Sequence, residues 1–437
     1  MGSNPGNNEK VAAGTEFQKE FPRAVLHVDG DAFFVACEVA CNPSLHGKPV
    51  VTGADRRIVS AMSYEAKALG VKRGMPVHEI RKNFPQVIII ASHYRLYEIF
   101  SQRMYRIIRR FTPAVEWYSI DECFADITGL NHELGLSYEG IAVKIQETLK
   151  AELGITFSVG LSVSKVLAKV ASKWKKPNGL TIIPLSLIGS YTKNLPLGKV
   201  WGIGPQTNHY LSQFGIQTAW DFVNKSDDWV NEHCAKPTAE TRLELSGRAL
   251  HDIHSDKRAK CKSLSSTETF MPPSADSTFI FSELSRHVED VARRARQEGL
   301  AATRVSFFLK TRDFRYRRME CVLSAPTALP HVILDSVRKS FGSIYDPRLI
   351  YRATGVTLLG LVPISHVSQD LFGSFNDFGG FENFNKTESI RKIYAVMDEM
   401  ANRYGSHILH VCSSLTALAR RKKKEKVFSI PILGRVS

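Results

Sequence analysis

AVLHVDGDAFFVACEVA (24–40) and VEWYSIDECFADIT (115–128) are the stretches whose reading decides the fold. In the first, an apolar run suited to a strand breaks at Asp-Gly-Asp and resumes as FFVACEVA with the look of a helix. In the second, two strand-like runs flank SIDE (119–122). Surface turns commonly carry Asp and Glu, and pattern alone leaves that reading open. Both sets of acids follow strongly apolar segments, however, and acids at adjacent strand ends can converge on one point. Gly30 could add a backbone carbonyl there. Phosphoryl transfer to a sugar hydroxyl uses two divalent ions about 4 Å apart. Hard ions such as Mg²⁺ take carboxylate oxygens.

Outward from these stretches, strand and helix signals alternate to about residue 180, which suggests one mixed sheet backed by helices. SYEAKALGV reads as a helix stopped near Gly70, MPVHEIRKNF as a second short helix, QVIIIAS as a buried strand, and 94–111 as an amphipathic helix. From 181 to 250 the signals are short and helical. From 258 to 364 a second pattern reads as a small βαββαβ domain, an α+β class overall. Residues 364–384 look like a linker, and 390–405 like one more amphipathic helix.

Composition sets bounds. At 437 residues the chain is too long for one ordinary domain. No apolar run approaches the roughly 18 residues of a membrane span, which excludes helical membrane proteins. Residues 1–20 read as a disordered leader without an apolar signal core. The protein is expected to be cytoplasmic, nucleoid-associated if bacterial, and monomeric. Seven scattered cysteines without a CxxC pair read as free thiols. A net charge of +15 suggests a polyanionic partner.

The motifs are more specific. HVDGDAFFVACE, SYEAKALGVKRGMP, YSIDECFADITGL, FSVGLSVSKVLAKVASKWKKPNG and LPLGKVWGIGPQT occur in the order seen in Y-family translesion DNA polymerases. Residues 23–364 resemble the DinB-type DNA polymerase IV, with UmuC-like wording in the second and third motifs. The resemblance implies a right-hand polymerase. Its palm would be 21–40 and 88–180, its fingers 41–87, its thumb 181–250, and its little finger 258–364. A linker and tail (365–437) would follow.

It implies template-directed DNA synthesis across damage, adding deoxynucleoside triphosphates to the primer of a primer–template. Two Mg²⁺ ions, with Mn²⁺ a substitute, would be held by Asp29, Asp121 and Glu122 with the Gly30 carbonyl. Phe33, Phe34, Tyr64, Lys67 and Lys176 would meet the nucleotide, with Phe34 as the sugar gate. Lys67 stands where relatives usually carry Arg, so a two-pronged contact becomes a point charge. Ala61 replaces a hydroxyl residue.

Gly202-Ile203-Gly204 would be the hairpin of a helix–hairpin–helix, where glycines let backbone amides approach a phosphate. Lys310, Arg312, Arg315 and Arg317, with Arg318, alternate with Phe314 and Tyr316 and would track DNA along a strand face. Residues 368–372 (SQDLF) sit where relatives carry a sliding-clamp peptide, with Leu371 and Phe372 as anchors. RRKKKEK (420–426) reads as a disordered basic run. A noncatalytic DNA-binding adaptor would have lost the carboxylates. A nucleotide cyclase would not need the hairpin or the Arg-rich domain.

Overall fold

The computed structural model describes residues 20–254, 261–366 and 380–420. Expectations placed on 1–19, 368–372 and 421–437 lie outside the described residues. Two units are distinguished, one carrying the residues up to 254 and the other those from 261.

The first unit opens with the fully buried strand β1 (Val25–Gly30). Side chains alternate across it: Leu26 and Val28 enter the main core, while Val25 meets Phe124 and Ala168 on the opposite face. After a turn at 31–32 comes α1 (Phe33–Cys41). Strands β2 (Val50–Thr52), β3 (Ala61–Met62) and β4 (Ile88–Ile90) make a small sheet of order β3-β2-β4. Helices Tyr64–Ala68 and Val77–Asn83 accompany it, around Val51, Val59, Ala66, Val71 and Ile80. β4 is half-buried, not the buried strand expected, because it lies at the edge of that sheet.

α2 (Tyr94–Ile108) buries Leu96, Tyr97, Phe100, Met104, Ile107 and Ile108, the three-and-four spacing of one helix face. The chain continues through β5 (Val115–Trp117), β6 (Glu122–Asp126), α3 (Tyr138–Leu153), β7 (Phe157–Ser162), α4 (Lys165–Trp174) and β8 (Leu180–Ile183). The main sheet has the order β5-β6-β1-β7-β8, with β1 antiparallel to both neighbours and β8 parallel to β7. The division expected at 180 therefore falls inside a strand, and the short helices begin only after Ile183. Among them is α5 (Pro205–Ser212).

α4 lies hard against β7. A Cβ on Gly160 would stand 2.1 Å from the Ala168 carbonyl oxygen and 2.3 Å from the Ser172 nitrogen. Only glycine permits that approach. Ser164 caps α4 by accepting from the Leu167 amide at 3.3 Å.

The second unit is the expected βαββαβ: β9 (Ser263–Ser274), α6 (Ser277–Gln297), β10 (Leu300–Thr311), β11 (Tyr316–Thr327), α7 (Pro330–Ile344) and β12 (Tyr351–Pro363). Its antiparallel sheet has the order β11-β10-β12-β9. The core lies between the sheet and the two helices, with Val305, Phe307, Leu309, Val356 and Leu358 among its members.

α8 (Gly380–Tyr404) starts inside the stretch expected to be linker as far as 384. Beyond residue 390 the chain packs on α6. Arg296 donates from Nε and Nη2 to Asp398, both at 2.7 Å. Glu289 accepts from the Val411 amide at 3.1 Å and from the Ser414 hydroxyl. All seven cysteines are unpaired. No helix among the described residues is long and apolar enough to cross a membrane.

Gly160→Ala should lower the stability of the first unit by about 1–3 kcal/mol, the usual cost of overpacking, or more because the clash is with backbone. Urea unfolding of the two proteins measures it. An unchanged midpoint would show that α4 can retreat without loss.

Candidate active site

Asp29 and Glu122 are directly paired across β1 and β6, and Ser158 lies opposite Asp29 on β7. Residues paired this way share one sheet face, so the two motifs meet in a single row. Asp121 is held beside them. Its carbonyl accepts from the Gly30 amide at 2.9 Å, and its Oδ1 accepts from Ser119 Oγ at 2.5 Å. The four residues Asp29, Gly30, Asp121 and Glu122 are thus neighbours at one end of the sheet.

Asp29 is 5% exposed. Burial raises its carboxyl to about 6; Lys176 opposes this, and the charges of Glu122 and Asp121 add to it. Burial would raise Glu122 too, but hydrogen bonds and charge from His27 and Lys169 outweigh it and hold Glu122 well below the usual carboxylate range. Lys176 Nζ donates to Asp29 Oδ1 at 2.5 Å, and Lys169 Nζ to Glu122 Oε2 at 2.6 Å. As they stand, no three His, Cys, Asp or Glu side chains among the described residues are gathered around a common point. Asp29 and Glu122 each turn to a lysine instead. An all-oxygen set of crowded acids, with one carboxyl resisting ionisation, fits a hard divalent cation.

Several residues here carried no sequence signal. Asp31 is a fastener: it accepts from Ser158 Oγ at 2.8 Å, the Asn178 amide at 2.7 Å and Tyr64 OH at 3.4 Å. His27 is fully buried and shares a 2.7 Å hydrogen bond with Ser172 through Nδ1. Lys165 reaches both oxygens of Glu116 at 2.8 Å. The four-residue spacing of Lys165, Lys169 and Lys173 was the available hint. Lys173 and Lys175 are exposed.

Of the two aromatics opening α1, Phe33 goes inward and is 3% exposed. Its ring lies over Gly30, where a Cβ would stand 2.6 Å from Phe33 Cδ2. The Phe33 side chain is thus core, which leaves its backbone for the nucleotide contact expected of this residue. Phe34 is half-buried. It stacks on Tyr97 with centroids 4.3 Å apart and planes at 11°, and meets the edge of Tyr94 at 5.5 Å. Tyr97 OH donates to Glu38 at 2.6 Å. Tyr64 is half-buried, and burial together with Asp31 pushes its phenol up. Lys67 is exposed, with Nζ 5.8 Å from the Tyr64 ring centroid.

Gly202 has φ +94° and a wall on one side, since a Cβ would meet Thr241 Oγ1 at 2.6 Å. Gly204 precedes Pro205, the first residue of α5, and faces open space. The pair presents backbone at a helix start.

In the second unit, Lys310 pairs with Tyr316 across the β10–β11 hairpin, and its Nζ lies 4.6 Å from that ring. Arg318 lies over the same ring at 4.8 Å, while Arg312 and Arg315 are exposed in the turn. Arg317 departs from the expected face. It pairs with Leu309, whose side chain is core, and stands 3.8 Å from Asp346. Alternation therefore puts Arg317 on the helix-covered side and Arg318 on the open one.

The sequence model described as the impB/mucB/samB family matches residues 28–173, and that of the family's C-terminal domain matches 261–371. Among curated proteins, the DNA polymerase IV of Moorella thermoacetica is 32% identical over 409 residues, covering 90% of this chain and 96% of that protein. The DNA polymerase IV of Pelotomaculum thermopropionicum is 31% identical over 396 residues, covering 90% and 95%. Among solved structures, a Y-family DNA polymerase chimera is similar with a TM-score of 0.66 at 25% identity, over 78% of this chain and 99% of that one. DinB from Sulfolobus solfataricus is similar with a TM-score of 0.51 at 25% identity, with the same coverage.

The Asp29 carboxyl gives a test of the site's electrostatics. Its folded value, about 6, lies above the ordinary 3.8. The neutral form therefore stabilises the fold below 3.8, and that contribution fades as pH rises through 6. The loss is at most about 3 kcal/mol. Asp29→Asn imitates the neutral acid, so thermal unfolding in chelator should show a more stable variant at pH 8 and no difference at pH 3.5. An equal gain at both values would mean that the charge of Asp29 is not the source.

Proposed function

This chain belongs to the Y family of DNA polymerases, to its DinB-type polymerase IV branch, and we propose that it copies damaged templates from the carboxylate row just described, by two-metal phosphoryl transfer. It is a DNA-directed DNA polymerase, acting on primer–template DNA and deoxynucleoside triphosphates. The observation that carries the finer reading is the pairing of Asp29 with Glu122, Asp121 beside them, at one face of the sheet. Divalent metal use is general in the family. Two Mg²⁺ ions, or Mn²⁺ in their place, would be held by Asp29, Asp121 and Glu122 with the Gly30 carbonyl. When bound, they lower the pKa of the primer hydroxyl and neutralise charge on the triphosphate.

The chain's own residues do the rest. Lys176 is partly exposed beside Asp29 and supplies a cation to the triphosphate. Lys67 and Tyr64 approach it from the fingers, Lys67 as a point charge. The Phe33 backbone amide, at the start of α1, is an unpaired donor of the kind that receives phosphate oxygens. Phe34, held flat against Tyr97, fills the space a 2′-hydroxyl would need. Gly202 and Gly204 take a primer-strand phosphate on backbone amides. In the little finger, Lys310, Arg312, Arg315 and Arg318 track the duplex backbone. Arg317 contributes there only from the far side of its strand. The domain assignment is palm, fingers, thumb and little finger, with the palm extended to Ile183. Leu371 and Phe372 are offered as a clamp contact on sequence alone, and the polymerase as a monomer.

Asp121→Ala combined with Glu122→Ala should abolish primer extension while primer–template binding, measured by fluorescence anisotropy, survives. Normal extension by this variant would refute the assignment of the ligands.

Phe34→Ala tests the gate. A pocket rejects an added hydroxyl poorly by polarity alone, so discrimination rests on filled volume, where overpacking costs about 1–3 kcal/mol. The ratio of kcat/KM for a ribonucleotide to that for its deoxy counterpart should rise roughly ten- to hundredfold. Deoxynucleotide extension should continue. A ratio that stays put would make Phe34 ordinary packing.

A further inference from the structure

The thumb hairpin and the metal ligands are joined by an aromatic and cationic cluster. Trp201 immediately precedes Gly202, the first glycine of the hairpin. Its Nε1–H donates to Tyr118 OH at 3.0 Å, and its ring meets Tyr118 edge-on at 5.3 Å. It also lies 5.7 Å from Phe124, the β6 residue two places after Glu122. Lys169 sits beneath both rings, 5% exposed, with Nζ 4.3 Å from the Tyr118 centroid and 5.2 Å from that of Trp201. The same Nζ holds Glu122 at 2.6 Å. Tyr118, three residues before Asp121, roots the turn that presents it; at that turn the Ser119 amide donates to the Glu122 carbonyl at 3.0 Å.

We propose that Trp201 is a positioning residue for synthesis: with Tyr118 and Lys169 it fixes the thumb's phosphate-binding hairpin in register with Glu122 and Asp121. The idea rests on the assignment of those acids as metal ligands. Its physical basis is the tolerance of the reaction. A primer end held by backbone amides on one element must meet ligands on another, and a misplacement of about 1 Å costs about a hundredfold in rate. A cation desolvated between two rings is attracted to both faces, so Lys169 transmits the position of Trp201 to the carboxylate it grips. The thumb does not depend on Trp201 to dock. Glu244 accepts from the Val166 amide at 3.1 Å, and its carbonyl accepts from Ser164 Oγ at 2.7 Å, which independently ties helix Lys236–Leu245 to the start of α4.

The test uses the full chain with Trp201→Ala, Trp201→Phe and Tyr118→Phe. Primer–template Kd, single-turnover insertion rate and the Mg²⁺ concentration for half-maximal rate are measured for each. Trp201→Ala is expected to keep Kd within about threefold, lower the rate roughly ten- to hundredfold, and raise the Mg²⁺ requirement. Trp201→Phe should recover most of the rate. Tryptophan emission, followed on a dideoxy-terminated primer as Mg²⁺ and the next nucleotide are added, should change in the parent and lose that change in Trp201→Phe.

A weakened Kd with a parental rate would make Trp201 a DNA contact and overturn the proposal, as would parental values throughout. Should Trp201→Ala fail to fold, Tyr118→Phe decides, since it removes the acceptor of the Trp201 Nε1–H: a lowered rate with a raised Mg²⁺ requirement upholds the proposal, and parental values of both sink it. Glu122→Gln is the control on the premise. If it extends primers with unchanged Mg²⁺ dependence, the ligand assignment has failed rather than the joint.

Discussion

Burying carboxylates side by side is costly unless cations answer them. At the end of β1 and β6 the chain sets Asp29 and Glu122 in one row with Asp121 adjoining, and much of the first unit follows from neutralising them. The answering cations come from α4 and the loop after it. α4 must therefore lie close to the sheet, which requires glycine at 160, and the loop must be pinned, which Asp31 does through the Asn178 amide. Even the polar residues inside, His27 and Ser172, sit where strand and helix meet at this distance. The geometry that gathers the acids is the geometry that packs the domain.

The strand–turn–helix at 24–40 was legible because two local signals agree: an apolar run ends at a turn, and a helical pattern begins. The same holds for the βαββαβ unit, expected over 258–364 and found from Ser263 to Pro363 with its elements in that order. Other features depend on partners far along the chain. A lysine on a helix reads as solvated, and nothing near Lys169 announces that Tyr118 and Trp201 will cover it. Phe33 and Phe34 are adjacent aromatics, yet one is core and the other is half-buried against Tyr97 and Tyr94; only the angle at which α1 leaves the sheet decides which.

Arg317 shows a subtler limit. Side chains alternate within a strand, but the parity of the second strand of a hairpin is set by the turn. Here residues 312–314 form the loop, with Phe314 in the left-handed region at φ +69°. Thr311 takes up Arg315 by backbone pairing, so Tyr316 and Arg318 fall on the face of Lys310. A turn one residue longer would have put Arg317 there. The α8 boundary failed for the opposite reason: Gly, Asn and Phe made 380–384 look like linker, whereas the segment continues directly into a helix secured on α6 by the Arg296–Asp398 pair.

The two lysines that answer the acids are not equivalent, and the difference bears on catalysis. Lys169 has a side chain 6% exposed, against the rings of Tyr118 and Trp201. Lys176 is 25% exposed, on the loop after α4. Were a divalent cation held in the row, as proposed, positive charge would have to leave it, since two cations on one carboxylate repel. Lys176 can leave Asp29 for solvent or for a triphosphate; Lys169 cannot leave Glu122 without stranding a buried charge. On the proposed assignment the exchange would therefore fall on Asp29, the carboxyl whose ionisation burial already resists, and would leave the Glu122–Lys169 pair intact. Under the proposed assignment, one lysine would be free to move to the nucleotide and the other would keep Glu122 in place.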